Sequence, residues 1–466
     1  MGRELWQMSA VSLAAMIRDG ETTSREVVDA HLERIGLVND AVNAIVEVRP
    51  DEARRDADAA DAARRDGRPL GALHGVPFTV KTNLDVAGYA TTEGTEALRD
   101  WMATIDAPTV ERMRAAGAVV LARTNMPDVG LRVNTESSLY GPAHNPWRHG
   151  LTTAGSSGGE AAAIATGMSP IGLGNDLGGS LRNPAFACGI SSIKPSRGRV
   201  PQGNPSSVVD PDVGEQMMAV EGVLARHVGD VRAGLTAIMG SHASDPQALD
   251  APLTGPPVAK RVALVPEPMG GDTHADVVES VRQAGRVLES AGYEVEEIEP
   301  PMLFESYITW AELLSLRFDM QGDLIDAVIG DGGRRFLELT KAGFPTATAA
   351  SVYALHQTQY RVAKAWRGFM ETYPLVVGPT WTQPPFPHGF DVRDAESAMK
   401  VIEGVRFTLP ANLLGLPAAC VPTGLANGLP MGVQVIGRAF REDTCLDAAE
   451  DIERALGVLT PIDPRD

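Results

Sequence analysis

The chain is expected to fold as an α/β protein with a large mixed, mostly parallel twisted sheet covered by helices on both faces. Three observations lead there. From Leu73 onward, short apolar runs bounded by Gly, Pro and Asn alternate with helical patterns, the texture of a sheet layered between helices. The 466 residues are 44% hydrophobic, ample core for two or three ordinary domains or for one large α/β unit, and a single unit spanning 1–466 is the expectation. Two serine-bearing glycine loops, Gly155-Ser156-Ser157-Gly158-Gly159 and Gly178-Gly179-Ser180, are joined by a helical run and a strand, as at the edge of an open α/β sheet.

Residues 1–66 read as a helical segment. Gly20 stops a first helix, and Thr23-Ser-Arg-Glu26 is a capping box that opens a second. Val27, Val28, His31, Leu32 and Ile35 lie along its inner face, with His31 as core filling. The charged and alanine-rich stretch 51–66 suggests a solvated helix.

Residues 67–200 form the core that carries the lysine and serine loops. Strands are expected at 76–80, 118–122 and 170–174, with helices at 110–116 and 158–167. Loops follow at 201–214 and 241–259, then a strand at 261–265 and a helix at 274–291. Residues 302–374 are mainly helical with aromatic residues, a cap insertion over a site. Strand patterns resume at 375–378 and 431–436.

Charge and composition exclude several classes. A net charge of −19 argues against nucleic acid as a ligand. Three cysteines, Cys188, Cys420 and Cys445, form no C-x-x-C pair, so neither a disulfide framework nor a metal site is expected, and a reducing cytoplasm fits. No signal core and no run of eighteen apolar residues occurs, so no membrane contact is expected. No cofactor is implied, and a homodimer is compatible with this reading.

The glycine loops carry the chemistry. A helix of about ten residues travels roughly 15 Å and a strand of about five returns roughly 16 Å, so Ser156 and Ser180 fall at one edge. Acyl transfer needs a nucleophile, a base and donors for the oxyanion. Ser180 follows two glycines, which let consecutive N–H groups turn inward as a nest built from Leu177, Gly178, Gly179 and Ser180. None of the nine histidines lies in either loop, which leaves a lysine as the alternative base. Lys81 directly follows the apolar strand at 76–80, away from other charges. A lysine becomes a base only when burial lowers its pKa from about 10.4 toward 7 or 8.

Two other motifs compete. Ser157 sits at the centre of a G-x-S-x-G pattern, but the elbow needs a strand leading in, and 149–154 reads as loop. Ser191-Ser-Ile-Lys194 fits S-x-x-K, yet Pro195 disfavours the helix that motif opens. Neither G-x-x-x-x-G-K-[ST] nor G-x-G-x-x-G surrounds these glycines.

The chain resembles the amidase signature family of serine hydrolases. The resemblance rests on Gly75-Val-Pro-Phe-Thr-Val-Lys81-Thr-Asn, Ala116-Gly-Ala-Val-Val-Leu-Ala-Arg-Thr-Asn-Met126-Pro and Asn145-Pro-Trp147. It continues through Gly155-Ser-Ser-Gly-Gly-Glu160, Gly174-Asn-Asp-Leu-Gly-Gly-Ser180-Leu-Arg-Asn-Pro184, Cys188-Gly189 and Lys194-Pro195. Gly415-Leu-Pro417 and Gly428-Leu-Pro-Met-Gly-Val-Gln434 complete it. The resemblance implies a Ser-Ser-Lys catalytic set of Ser180 as nucleophile, Ser156 as bridge and Lys81 as base, and a cis peptide before Ser156. Ser157, Asn175, Asp176 and Arg182 fall in supporting positions. Ala154 stands where glycine is usual, Asn175 where threonine precedes the aspartate, and Ser196 where threonine follows Lys-Pro.

The expected function is hydrolysis of a small aryl or alkyl amide through an acyl-enzyme, extending to esters or carbamates. Two alternatives stand beside it: the glutaminase component of a glutamine-dependent tRNA amidotransferase, and a non-catalytic protein whose glycine nests hold an anion. Trp310, Phe318, Trp381 and Phe386 are candidate pocket aromatics, with ordinary packing the competing reading of each.

Overall fold

Among the described residues, 4–207, 210–341 and 348–466, the computed structural model places eleven strands in one sheet. The strands, in chain order, are β1 (Ile45–Val48), β2 (Pro77–Lys81), β3 (Val119–Thr124), β4 (Glu136–Ser137), β5 (Gly141–Pro142), β6 (Ile171–Asp176) and β7 (Ser191–Lys194). They continue with β8 (Val220–Ala225), β9 (Arg261–Leu264), β10 (Glu294–Glu297), β11 (Leu375–Pro379), β12 (Ala418–Ala426) and β13 (Leu429–Gly437). The order across the sheet is β1-β3-β2-β6-β8-β7-β12-β13-β11-β9-β10, and β4 and β5 form a separate ribbon.

The interior strands of the sheet are buried on both faces, and β3 shows how. Val119 and Leu121 pack into one core cluster while Val120 between them packs into another. That alternation of side chains, apolar on both sides, is why these strands read as unbroken apolar runs. Helices Ala10–Asp19, Val228–Ile238 and Glu442–Leu456 supply side chains to the cluster that holds Val120, and Gly158–Ala165 and Leu303–Val328 to the other.

The α/β class and the large mixed sheet agree with the sequence reading, but a parallel majority is not found. Four strand pairings are parallel, β2 with β3 and β6, and β9 with β10 and β11. Six are antiparallel. One cause is local: Asn427 and Gly428 take φ of 51° and 78°, a two-residue turn that folds β12 directly back onto β13. Strands β7 and β8 also run antiparallel to each other and to their outer neighbours, β12 and β6.

Near the N-terminus, Gly20 ends its helix in the left-handed conformation, and both hydrogen bonds of the Thr23–Glu26 capping box form. His31 is fully buried, bonds Val27 O at 2.8 Å through Nδ1 and is held down to about 4 by burial, the behaviour of a core residue. The helix Pro50–Arg65 is less solvated than its charges suggest, because Ala53, Ala57 and Ala60 are buried beneath them. The stretch 302–374 holds helices Leu303–Val328, Asp331–Lys341 and Ala349–Thr372. Residues 342–347 of that stretch, 208–209 of the expected 201–214 loop and the first three residues of the chain lie outside the described residues.

Candidate active site

Strands β2 and β6 are parallel neighbours, with Thr79 opposite Gly172 and Val80 opposite Leu173. Their carboxyl ends therefore lie at one edge, where Lys81 closes β2 and Asn175 and Asp176 close β6. Past β6 the chain turns through 177–181 into the helix Arg182–Cys188, and the loop 154–157 leads into the helix Gly158–Ala165. The Ser157 N–H donates to Ser180 O at 3.2 Å, which binds the two glycine loops together.

Lys81 is fully buried, and its Nζ donates to Ser156 Oγ and to Asn175 Oδ1, each at 2.6 Å. Burial pulls its pKa from 10.5 to about 7, against the charges of Asp176, Glu93 and Glu160, which favour the ammonium. No carboxylate is bonded to Nζ among the described residues, so nothing pairs the charge directly. Ser156 is 3% exposed, and the peptide before it is cis. Thus Lys81 and Ser156 are brought into contact, whereas no hydrogen bond joins Ser156 Oγ to Ser180 Oγ among the described residues.

The loop around Ser180 is tied from below by Asp176. Its carboxylate accepts Gly179 N–H at 2.7 Å, Leu181 N–H at 3.2 Å, Arg182 Nε and Nη2 at 3.0 Å each, and Asn412 Nδ2 at 2.9 Å. Burial works to raise its pKa, but the charge and hydrogen bonds of Arg182 outweigh it and hold the carboxyl well below the usual carboxylate range. Arg182 continues to Thr408 O, Gln434 Oε1 and Asn412 Oδ1 at 2.6–2.9 Å, so every charge in the network is met by a buried partner.

This network corrects the expected four-donor nest. Gly179 sits at φ 100°, and its N–H is already taken by Asp176. The N–H groups of Leu177, Gly178 and Ser180 find no acceptor among the described residues. They remain available to an oxyanion.

Ser180 lines a cavity of about 490 Å³ between this loop and the helices Leu303–Val328 and Asp331–Lys341. Its wall includes Leu131, Val133, Trp310, Leu314, Phe318 and Val405. Trp310 Nε1 donates to Leu177 O at 2.9 Å, and a Cβ on Gly178 would lie 2.5 Å from the indole ring. Only glycine lets the ring approach this closely. Of the other candidate aromatics, Phe318 lines the cavity, while Trp381 is buried between Phe186 and Phe386 in edge-to-face contacts.

The competing motifs fall elsewhere. Ser157 Oγ is buried without a hydrogen-bond partner among the described residues and precedes the first turn of the helix Gly158–Ala165. Ser191–Lys194 is strand β7, and Lys194 Nζ donates to Pro195 O at 2.9 Å. No group of His, Cys, Asp and Glu able to hold a metal occurs among the described residues. Asn412 gives no sign of its role in the sequence, since it lies in an otherwise apolar run at 409–414 and outside the Gly415-Leu-Pro417 motif that follows. Glu160, a single letter of the first glycine-loop motif, proves to be a buried carboxyl bonded by Thr79 and by Thr124, the latter at 2.7 Å, and burial lifts it to about 7.

Comparison with known proteins agrees with this fold and with its sequence motifs. The chain superposes on the structure of 6-aminohexanoate cyclic dimer hydrolase complexed with substrate with a TM-score of 0.85, at 27% identity over 97% of this chain and 98% of the other. The family model Amidase matches residues 26–446, and the chain belongs to the amidase signature family. It is 39% identical to an indoleacetamide hydrolase of Bradyrhizobium diazoefficiens, over 98% of this chain and 88% of the relative. It is also 33% identical to a component of the glutamyl-tRNA(Gln) amidotransferase of Salinispora arenicola, over 98% of this chain and 99% of the relative. The protein is an amidase, an enzyme of amide hydrolysis.

Proposed function

We propose that this amidase hydrolyses small aryl or alkyl carboxamides through a Ser180–Ser156–Lys81 triad and an acyl-enzyme, with esters and carbamates as secondary substrates. One observation carries the reading: a fully buried lysine amine, bonded to no carboxylate among the described residues, lies 2.6 Å from Ser156 Oγ at the edge that also bears Ser180.

In this mechanism neutral Lys81 takes the Ser156 proton as Ser156 takes that of Ser180, and Ser180 Oγ bonds to the substrate carbonyl carbon. The negative charge on the former carbonyl oxygen is met by the N–H groups of Leu177, Gly178 and Ser180. Each such donor typically contributes about 3–4 kcal/mol to the transition state. The C–N bond then breaks, the leaving amine takes a proton from Ser156, and Lys81 returns one to Ser156. Water repeats the sequence on the ester, releasing the carboxylic acid and restoring Ser180.

The apolar wall of Trp310, Leu314 and Phe318 suits a flat or aliphatic acyl group, and the relative named for indoleacetamide hydrolysis points to arylacetamides. The 33% match to an amidotransferase component favours a second reading, glutaminase action with ammonia passed to a partner chain. A soluble, cytoplasmic enzyme acting on a free small molecule goes with the first reading. The test is a panel of arylacetamides, alkyl amides, esters, carbamates and glutamine, run with wild type, Ser180→Ala and Lys81→Ala. Turnover of arylacetamides lost in both variants is expected; undiminished turnover in Ser180→Ala would refute the assignment, and glutamine as the sole substrate would favour the second reading.

A further inference from the structure

Building on the proposed role of Lys81, we infer that Asn175 is a positioning residue that turns the Lys81 lone pair toward Ser156. The amine has two oxygen neighbours, Ser156 Oγ and Asn175 Oδ1, both at 2.6 Å, and no other side-chain partner among the described residues. A neutral amine offers two N–H groups and one lone pair. The oxygen of a side-chain amide can only accept. Contact with Asn175 therefore uses an N–H, and the lone pair is left for the Ser156 hydroxyl proton.

A threonine hydroxyl, usual at this place in the family pattern, differs in kind because it can donate as well as accept. In its donating sense it would occupy the lone pair that Ser156 needs. Asn175 removes that competing arrangement. Its backbone is held by the ladder between β6 and β8, opposite Glu221, so the side chain starts from a fixed point.

The charged groups around the amine do not replace this role. Asp176, Glu93 and Glu160 act on Lys81 through space, Arg123 Nη2 reaches only its carbonyl oxygen at 3.3 Å, and Asp176 is engaged by Arg182. None of them is bonded to Nζ. Asn175 alone among them sets the direction of an N–H.

The test follows phosphonylation of Ser180 by a fluorophosphonate between pH 5 and 10. The reaction forms the Ser180 Oγ–P bond, breaks P–F and expels fluoride, and sends the hydroxyl proton through Ser156 to Lys81. In Asn175→Ala the plateau rate should fall roughly tenfold and the acid limb should move down by about one pH unit, since one hydrogen bond to the ammonium is lost. In Asn175→Asp the limb should move up by about one to three units, the usual effect of a carboxylate on a bonded amine. Asn175→Thr, which keeps an acceptor, should recover part of the plateau lost in Asn175→Ala.

A residue that serves only packing would lower plateaus and leave the limb in place. An unmoved limb in Asn175→Ala and Asn175→Asp overturns the inference. Where the Asp variant does not fold by circular dichroism, Ala and Thr variants with equal rates and an unmoved limb overturn it too. Lys81→Ala separates the two layers: wild-type labelling in that variant refutes the base, whereas its silence with unmoved limbs in the Asn175 series refutes the positioning role alone.

Discussion

The buried Lys81 amine proposed as the base should make the protein less stable at neutral pH than at alkaline pH. Burial pulls Lys81 from 10.5 to about 7, so between those values the unfolded chain binds a proton that the folded chain does not. Stability then rises with pH across that window, at up to about 1.36 kcal/mol per pH unit. The full span, about three and a half pH units, is on the order of 5 kcal/mol. Over the accessible part, pH 7 to 9, the contribution is about 2 kcal/mol, because at pH 7 the folded amine is already half protonated.

Lys81→Met keeps the length and apolar stem of the side chain and removes the titrating group. Its unpaired Ser156 and Asn175 oxygens carry a penalty, but neither titrates, so that penalty is the same at both pH values. Glu93 and Glu160, raised by burial to about 7, feel the amine as a lowering charge and would rise further without it. That change makes the variant lose stability above pH 7, which widens the difference in the same direction. Urea unfolding of wild type and Lys81→Met at pH 7 and pH 9 gives the double difference: wild type should gain at least about 2 kcal/mol more than the variant. Equal gains would mean that the folded lysine keeps its proton at pH 7, and the base assignment would fall with it.

Ser180→Ala should abolish amide turnover, while Ser157→Ala should keep most of it, because Ser157 Oγ is buried and bonds to nothing among the described residues; equal losses with folding intact would return the nucleophile to the G-x-S-x-G motif. Trp310→Phe should reduce kcat/KM severalfold, matching the loss of a neutral hydrogen bond worth about 0.5–1.5 kcal/mol to Leu177 O. Gly178→Ala should do more damage, since its Cβ would lie 2.5 Å from the Trp310 ring, and a Gly178→Ala enzyme as active as wild type would show that the loop does not need this contact. Asp391→Ala breaks a buried bidentate pair with Arg132, at 2.8 and 2.9 Å, and should destabilise the fold by about 3–5 kcal/mol. A loss under about 1 kcal/mol in urea unfolding would show that Glu136, 3.0 Å from the same guanidinium, takes over.

The contact of Lys81 with Ser156 and the meeting of the two glycine loops were legible because their signals are local: a strand that ends in a lysine, and glycines flanking serines one helix and one strand apart. The strands that the sequence concealed are those set by distant partners. Residues 191–194 look like a catalytic S-x-x-K and are strand β7 because β8 and β12 pair with them on either side. The antiparallel half of the sheet escaped for the same reason, although Asn427-Gly428 between apolar runs was a hairpin signal within reach. Asn412 carries no pattern at all, since its role exists only where a helix from the far end of the chain meets Asp176. The alanine spacing in 50–65 did hold the information that one face is buried, but its charges dominated the reading.

The pairing of Asn175 with Asp176 shows how a buried lysine can stay near neutrality beside an ionised carboxylate. Successive residues of a strand point to opposite faces. Asn175 thereby presents an uncharged acceptor to Lys81, and Asp176 turns the other way, into Arg182 and Asn412. Exchanging the two side chains would set a carboxylate on the amine and leave Arg182 opposite an amide. The lysine would then hold its proton to high pH, and Arg182 would be a buried charge without a carboxylate to balance it, a loss of about 3–5 kcal/mol. Arg182 thus has two effects through one bond set: it keeps the Ser180 loop tied to the sheet, and it engages the charge that would otherwise hold the proton on Lys81.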